Sequence, residues 1–234
     1  MHTAPFRSGL RRALVIAPIA AAALLITAMV ASAATLHLNR ACYVFKGRHK
    51  PAVTVTGSGY GPGDPVAIES KSGFGLNLTA NSAGQIAGRA EAPLPPLTAA
   101  KAKKFTVVAK DFTPSGGDSV VATAASRVTA FAASHGAGKH KAPGNRALEE
   151  KVKWAFVGFP VHRTIYGHYL HGSRLVTAQK FGRTSEPCGT LVVHKRGYPG
   201  DPRHSSYTVA LDTHRRYSSK TRPQLRLKVA LSIF

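Results

Sequence analysis

Apolar and polar residues alternate with period two along much of this chain, the signature of half-buried strands. Near the end, Leu225, Leu227, Val229, Leu231 and Ile233 fall on one side, and Gln224, Arg226, Lys228, Ala230 and Ser232 on the other. Tyr207, Val209 and Leu211 alternate with Thr208, Ala210 and Asp212. Val152, Trp154 and Phe156 alternate with Lys151, Lys153 and Ala155; Val53 and Val55 alternate with Thr54 and Thr56. Turn-forming clusters such as Gly61-Pro62-Gly63-Asp64, Asn81-Ser82-Ala83-Gly84 and Tyr198-Pro199-Gly200-Asp201 separate the runs. Short strands at this spacing predict an all-β sandwich architecture.

Two other stretches break the pattern. Arg7, Arg11 and Arg12 precede an uncharged apolar run from Ala13 to Val30, followed by Ala31-Ser32-Ala33. A positive start, an apolar middle and an A-x-A end make residues 1–33 an expected signal peptide, and the mature chain an expected secreted or envelope-associated protein. Retention of the segment as a membrane anchor is the alternative. Residues 132–150 are small, basic and contain Gly and Pro without apolar periodicity, and are expected to be a linker. Their Gly-Lys pair lacks the other residues of a phosphate-binding loop.

The halves on either side of that stretch look like copies of one unit. Val53, Val55, Gly59, Tyr60 and Val66 recur as Val152, Trp154, Gly158, Phe159 and Ile165 at constant spacing. Gly84-Gln85-Ile86 resembles Gly189-Thr190-Leu191, and Phe105-Thr106-Val107 resembles Tyr207-Thr208-Val209. The expectation is two tandem immunoglobulin-like β-sandwich domains, at 34–131 and 151–234.

The run Val53-Thr54-Val55-Thr56-Gly57-Ser58-Gly59-Tyr60-Gly61-Pro62-Gly63 resembles the opening of bacterial immunoglobulin-like domains in secreted actinobacterial proteins. The second half, through Trp154, Gly158-Phe159, Tyr166-Gly167-His168-Tyr169 and Pro187-Cys188-Gly189-Thr190-Leu191, is similar to the C-terminal domain of a group of exported two-domain actinobacterial proteins. The resemblance implies fold and export, and carries no activity. The first domain also resembles neocarzinostatin-type apoproteins, small sandwiches that carry a chromophore. It has one Cys where those have two disulfides.

Charge narrows the function classes. The 234 residues hold 32 Lys+Arg against 10 Asp+Glu, a net charge of +22. Residues 151–234 carry 15 of the basic and 3 of the acidic residues, so most of the field lies in the second domain. Lys195, Arg196, Arg215, Arg216, Lys220 and Arg222 lie in or beside turns, with Tyr198 and Tyr217 interleaved, and are the candidate polyanion-binding residues. Export sets nucleic acid aside as the physiological partner and leaves anionic cell-wall and extracellular polymers. The other explanation is that strand faces need polar residues and this chain uses Arg. The scarcity of carboxylates and the absence of a G-x-S-x-G elbow argue against a hydrolase, although Asp212 and His214 sit together near a strand end. His168-x-x-His171 has no metal-binding geometry on a strand, where positions three apart face opposite ways, so no metal and no cofactor are expected. The sequence therefore predicts a non-enzymatic binding or adhesion protein. A small-ligand carrier with an open sandwich end between Tyr60 and Phe74 is the alternative, and an extracellular hydrolase a second. Cys42 and Cys188 fall one in each half. An even count in an exported chain predicts an interdomain disulfide, with two buried thiols as the alternative.

Overall fold

The computed structural model describes residues 33–95, 100–113, 117–136, 150–198 and 206–230, and every regular element among them is a strand. In the first half, β1 (Thr35–Leu38), β3 (Ala52–Ser58) and β6 (Gln85–Glu91) form one sheet, ordered β1-β3-β6. Facing it is a five-stranded sheet ordered β2-β8-β7-β4-β5, made of β2 (Cys42–Phe45), β4 (Pro65–Glu69), β5 (Gly75–Thr79), β7 (Lys103–Thr113) and β8 (Gly117–Ala130). Their inner faces share one core, with Val53, Val55 and Ile86 from the first sheet and Tyr43, Ile68, Phe105 and Val107 from the second. β2 pairs with β8 in parallel, whereas β1 pairs antiparallel with β3, so the N-terminal strand of this sandwich is split between the sheets.

The second half repeats the plan. β9 (Ala132–His135), β10 (Lys151–Val157) and β13 (Leu191–Arg196) form a sheet ordered β13-β10-β9. β11 (Thr164–His171), β12 (Arg174–Arg183), β14 (Ser206–Asp212) and β15 (Leu225–Ala230) form its partner, ordered β12-β11-β14-β15. Trp154, Phe156, Ile165, Tyr169, Phe181, Tyr207 and Val209 fill the core between them. The strand order is that of two tandem immunoglobulin-like β-sandwiches.

The internal repeat has a structural meaning at each of its anchors. Val53 and Val152, Val55 and Trp154, Tyr60 and Phe159, and Val66 and Ile165 are all buried at equivalent places. Gly84 and Gly189 each precede the strand that pairs with the Gly-aromatic strand, at φ +66° and +59°. A Cβ on Gly84 would overlap the Tyr60 carbonyl, and one on Gly189 the Phe159 carbonyl. Positive φ and close backbone approach both demand glycine here. Gly189→Ala is therefore expected to lower stability by about 1–3 kcal/mol. A urea midpoint equal to that of the parent protein would contradict this reading.

One sequence expectation needs correction. The stretch expected to be a linker from 132 begins as β9, which pairs with β10 from Trp154↔His135 to Val157↔Ala132. The chain therefore passes from one sandwich to the other at Phe131, a single residue between β8 and β9, and the second sandwich starts at Ala132 instead of 151. Residues 137–149 lie outside the described residues, as does the expected leader up to residue 32. Phe131 is held by its N–H donating to the Phe45 carbonyl at 2.7 Å and by its ring against Phe159, centroids 4.6 Å apart. Gly158 packs on Val44 and Phe131 at the same place. On β14, Ala210 and Asp212 stand opposite Tyr207, Val209 and Leu211. Both are fully buried, because the segment after β14 folds back over the outer face of its sheet.

Cys42, at the start of β2, and Cys188, in the turn before β13, form a disulfide with Cα atoms 5.4 Å apart and 146 positions apart in sequence. It ties the first sandwich to the second across the junction at Phe131.

Candidate binding site

Strand directions decide which loops meet. β8 enters the junction at Ala130 and β9 leaves it at Ala132, so the Val157 end of β10 is the junction end of the second sandwich. The Lys151 end, paired with Arg196, is the far end. Tyr166, near the start of β11, pairs with Asp212 at the end of β14, so the β14–β15 loop, residues 213–224, leaves from the junction end.

The six candidate cations therefore do not form one patch. Arg215, Arg216, Lys220 and Arg222 are exposed on the junction-end loop. Lys195 and Arg196 close β13 at the opposite end, after six residues of strand from Leu191, roughly 17 Å away along it. Lys195 also alternates with Leu191 and Val193 on the inward side and is only half-exposed, leaving Arg196 as the outward cation. Among the described residues, none of the four loop cations pairs with a carboxylate.

The loop is fixed by polar groups beneath it. His168 and Asp212 lie on the outer face of the four-stranded sheet, both side chains fully buried, with Nε2 3.4 Å from Asp212 Oδ1. His168 Nε2 also lies 3.0 Å from the His214 carbonyl, so the ring proton belongs on Nε2. The His214 N–H donates to Asp212 Oδ1 at 2.7 Å, and Gln224 Nε2 donates to Asp212 Oδ2 at 3.0 Å and to the Ser218 carbonyl at 3.0 Å. Tyr217 covers His168, ring centroids 5.5 Å apart, and its hydroxyl accepts from Arg226 Nη2 at 3.3 Å. Both roots of the loop, at His214 and Gln224, are thus tied to one carboxylate. Burial pushes the Asp212 carboxyl up, but hydrogen bonds from His168, His214 and Gln224 outweigh it and hold it below its ordinary value. Arg222 is itself tethered, Nη1 donating to the carbonyls of Ser219 at 3.0 Å and Thr221 at 2.7 Å.

The first sandwich brings cations that the sequence pattern does not single out. Lys46-Gly47-Arg48-His49-Lys50, between β2 and β3, is exposed throughout, and Lys50 pairs with Glu91 at 2.8 Å. The signal is a run of basic residues in a turn, diluted when charge is summed over the whole half. Lys46 and Gly47 from this turn meet Phe131 and the Arg222-Pro223-Gln224 end of the β14–β15 loop around an open groove of about 510 Å³.

The other candidate places look different in three dimensions. Tyr60 and Phe74, expected at an open sandwich end, are buried in the first core, and the Tyr60 hydroxyl donates to the Thr35 carbonyl at 3.0 Å. His168 and His171 are separated, the first buried under Tyr217 and the second exposed. Among the described residues no three His, Cys, Asp or Glu side chains gather as a metal site.

No protein-family model matches the chain, and no curated protein matches it. Among solved structures, it is similar to a tetra-tandem repeat in the extending region of a large adhesion protein, at 12% identity and TM-score 0.28 over 86% of this chain. It spans about half of that protein, 49%. It is also similar to bovine butyrophilin, at 10% identity and TM-score 0.30 over 85% of this chain and 99% of that one. A DUF3823 family protein from Bacteroides ovatus ATCC 8483 aligns at 9% identity and TM-score 0.25, over 86% and 99% of the two chains. With overlaps this partial, the fold assignment rests on the strand order itself.

Proposed function

We propose that this chain is an exported, non-enzymatic binding or adhesion protein of the cell envelope that holds anionic polymers, chiefly through its second sandwich. One observation carries the reading: Arg215, Arg216, Lys220 and Arg222 stand exposed on a loop whose two roots are fixed to the buried Asp212. A surface that only needed solvation would not require such anchoring. Cations held in place, with no carboxylate partner among the described residues, exchange condensed counterions for a polymer's anionic groups, and the released ions drive association.

The test is retention of the full chain on immobilised heparin and on purified cell wall across a salt series. The double variant Arg215→Glu, Arg216→Glu is expected to elute at lower salt. Its log affinity should fall with log salt less steeply, by roughly one unit of slope for each cation withdrawn from the polymer. Its urea midpoint should be unchanged, since exposed charges contribute roughly 0–1 kcal/mol. Identical elution of variant and parent would show that the loop does not touch the polymer, and no retention at physiological salt would remove the reading altogether.

A further inference from the structure

The groove at the junction of the sandwiches is concave and combines cations with apolar ring surface. Lys46 and Gly47 come from the first sandwich, Arg222, Pro223 and Gln224 from the second, and Phe131 from the crossing between them. Each part is held in place. Phe131 is pinned to Phe45, the residue before Lys46, by a 2.7 Å backbone hydrogen bond. Gln224 is committed to Asp212 and Ser218 through Nε2 and accepts from Arg226 Nε at 3.3 Å through Oε1. Arg222 uses Nη1 on two loop carbonyls, which turns the guanidinium into a fixed plane with Nε and Nη2 left to donate.

Resting on the reading of a polyanion binder and going beyond it, we infer that this groove takes one acidic sugar unit of such a polymer. The unit is a pyranose bearing a carboxylate or a sulfate. Lys46 and Arg222 meet the acid group, and Phe131 and Pro223 meet the C–H face of the ring. The volume of about 510 Å³ lies within the roughly 300–1,000 Å³ of sites that hold compact ligands. A single half-buried aromatic ring, already against Phe159, suits one ring-sized apolar face. It does not make the succession of aromatic platforms on which single-stranded nucleic acid stacks base after base. The site exists only when both sandwiches are in place, so the first sandwich contributes to recognition despite its lower charge.

The experiment is calorimetric titration of the full chain with four short probes: an oligogalacturonate tetramer, a heparin-derived tetrasaccharide, neutral maltotetraose and the oligonucleotide dT8. The expected result is saturable binding of one acidic tetrasaccharide per chain, with the carboxylated and sulfated probes ranking the two acid groups, and no heat from maltotetraose. Lys46→Gln and Gly47→Asp should each weaken that binding about tenfold or more, as expected for losing or opposing a charged hydrogen bond. Lys46 is exposed, and a Cβ on Gly47 meets nothing within 4 Å. Aspartate also tolerates the positive φ of +62° at Gly47, so both variants are expected to keep the parent's urea midpoint. Retention on long heparin should change little in either. If both variants bind the tetrasaccharides like the parent, or if neither tetrasaccharide binds while long heparin is still retained, the groove is not the site and the broader reading survives. If long heparin is also not retained by the parent chain, both fall. Tighter binding of dT8 than of either acidic sugar would overturn the ligand class.

Discussion

Replacing both cysteines, as Cys42→Ala with Cys188→Ala, is expected to destabilise the protein by about 2–5 kcal/mol against urea. The bond closes a loop of 146 positions. In the chain-entropy treatment a loop that long restricts the unfolded chain by on the order of 5 kcal/mol, an upper expectation because unfolded chains keep some structure. Alanine is used because Cys188 is buried and a serine hydroxyl there would add a separate cost. The parent protein measured with and without reductant should show the same difference as the variant. An unchanged urea midpoint in both comparisons would mean that the junction is held by its noncovalent contacts alone. These include the Phe131–Phe159 ring contact, the Phe131 N–H bond to the Phe45 carbonyl and the packing of Gly158 on Val44.

The second large effect is expected at Asp212. Asp212→Ala strips the partner from a fully buried His168, from the His214 N–H and from the Gln224 amide at once. Leaving these donors without their acceptor costs roughly 1–3 kcal/mol for each that stays buried, because they remain desolvated without partners. The expected signature is local as well as global. Amide hydrogen exchange across 213–224 should accelerate more than in the core strands β10 and β14, since the loop loses both of its tethers. Uniform acceleration everywhere would assign Asp212 to the core instead of the loop. The same carboxylate sets a direction with pH. Its folded value is depressed, so its stabilisation is present above the unfolded carboxyl value of about 3.9 and is lost as pH falls through the lower folded value. The stability gap between parent and variant should therefore be constant near neutrality and shrink only below about pH 4. A gap that already shrinks between pH 6 and 7 would show that the Asp212 carboxylate is not its origin.

Much of the architecture was legible because core residues alternate with visible contrast. Val53 and Val55, Trp154 and Phe156, and Tyr207 and Val209 are large, apolar and separated by a Thr or a small Ala, and all are buried. β9 was not legible. Ala132-Ala133-Ser134-His135 has no size contrast, and it is a strand because β10 offers it an edge to pair with. The burial of Asp212 and His168 was also hidden, since alternation assigns a face but cannot tell that a loop returns to cover it. The candidate site was legible as residue types and not as a place. Lys195 and Arg196 lie closer in sequence to Arg215 than Lys46 does, yet strand direction sends them to the far end, while Lys46 shares the groove with Arg222.

The disulfide also redraws the path along which the molecule carries tension. A pull between the two ends of the chain runs from the N-terminal side to Cys42, crosses the sulfur atoms, and leaves from Cys188 toward the C-terminal side. The stretch of backbone between the two cysteines hangs outside that path as an unloaded loop. It contains all of the first sandwich after β1, the crossing at Phe131, and β9 through β12 of the second. Among the described residues, β1, the turn before β13, β13 itself, β14, the cationic loop and β15 remain in line with the force. Under such a load the first sandwich beyond β1 cannot be drawn out, and among the described strands the extensible length is β1 together with the part of the second sandwich that carries the loop cations.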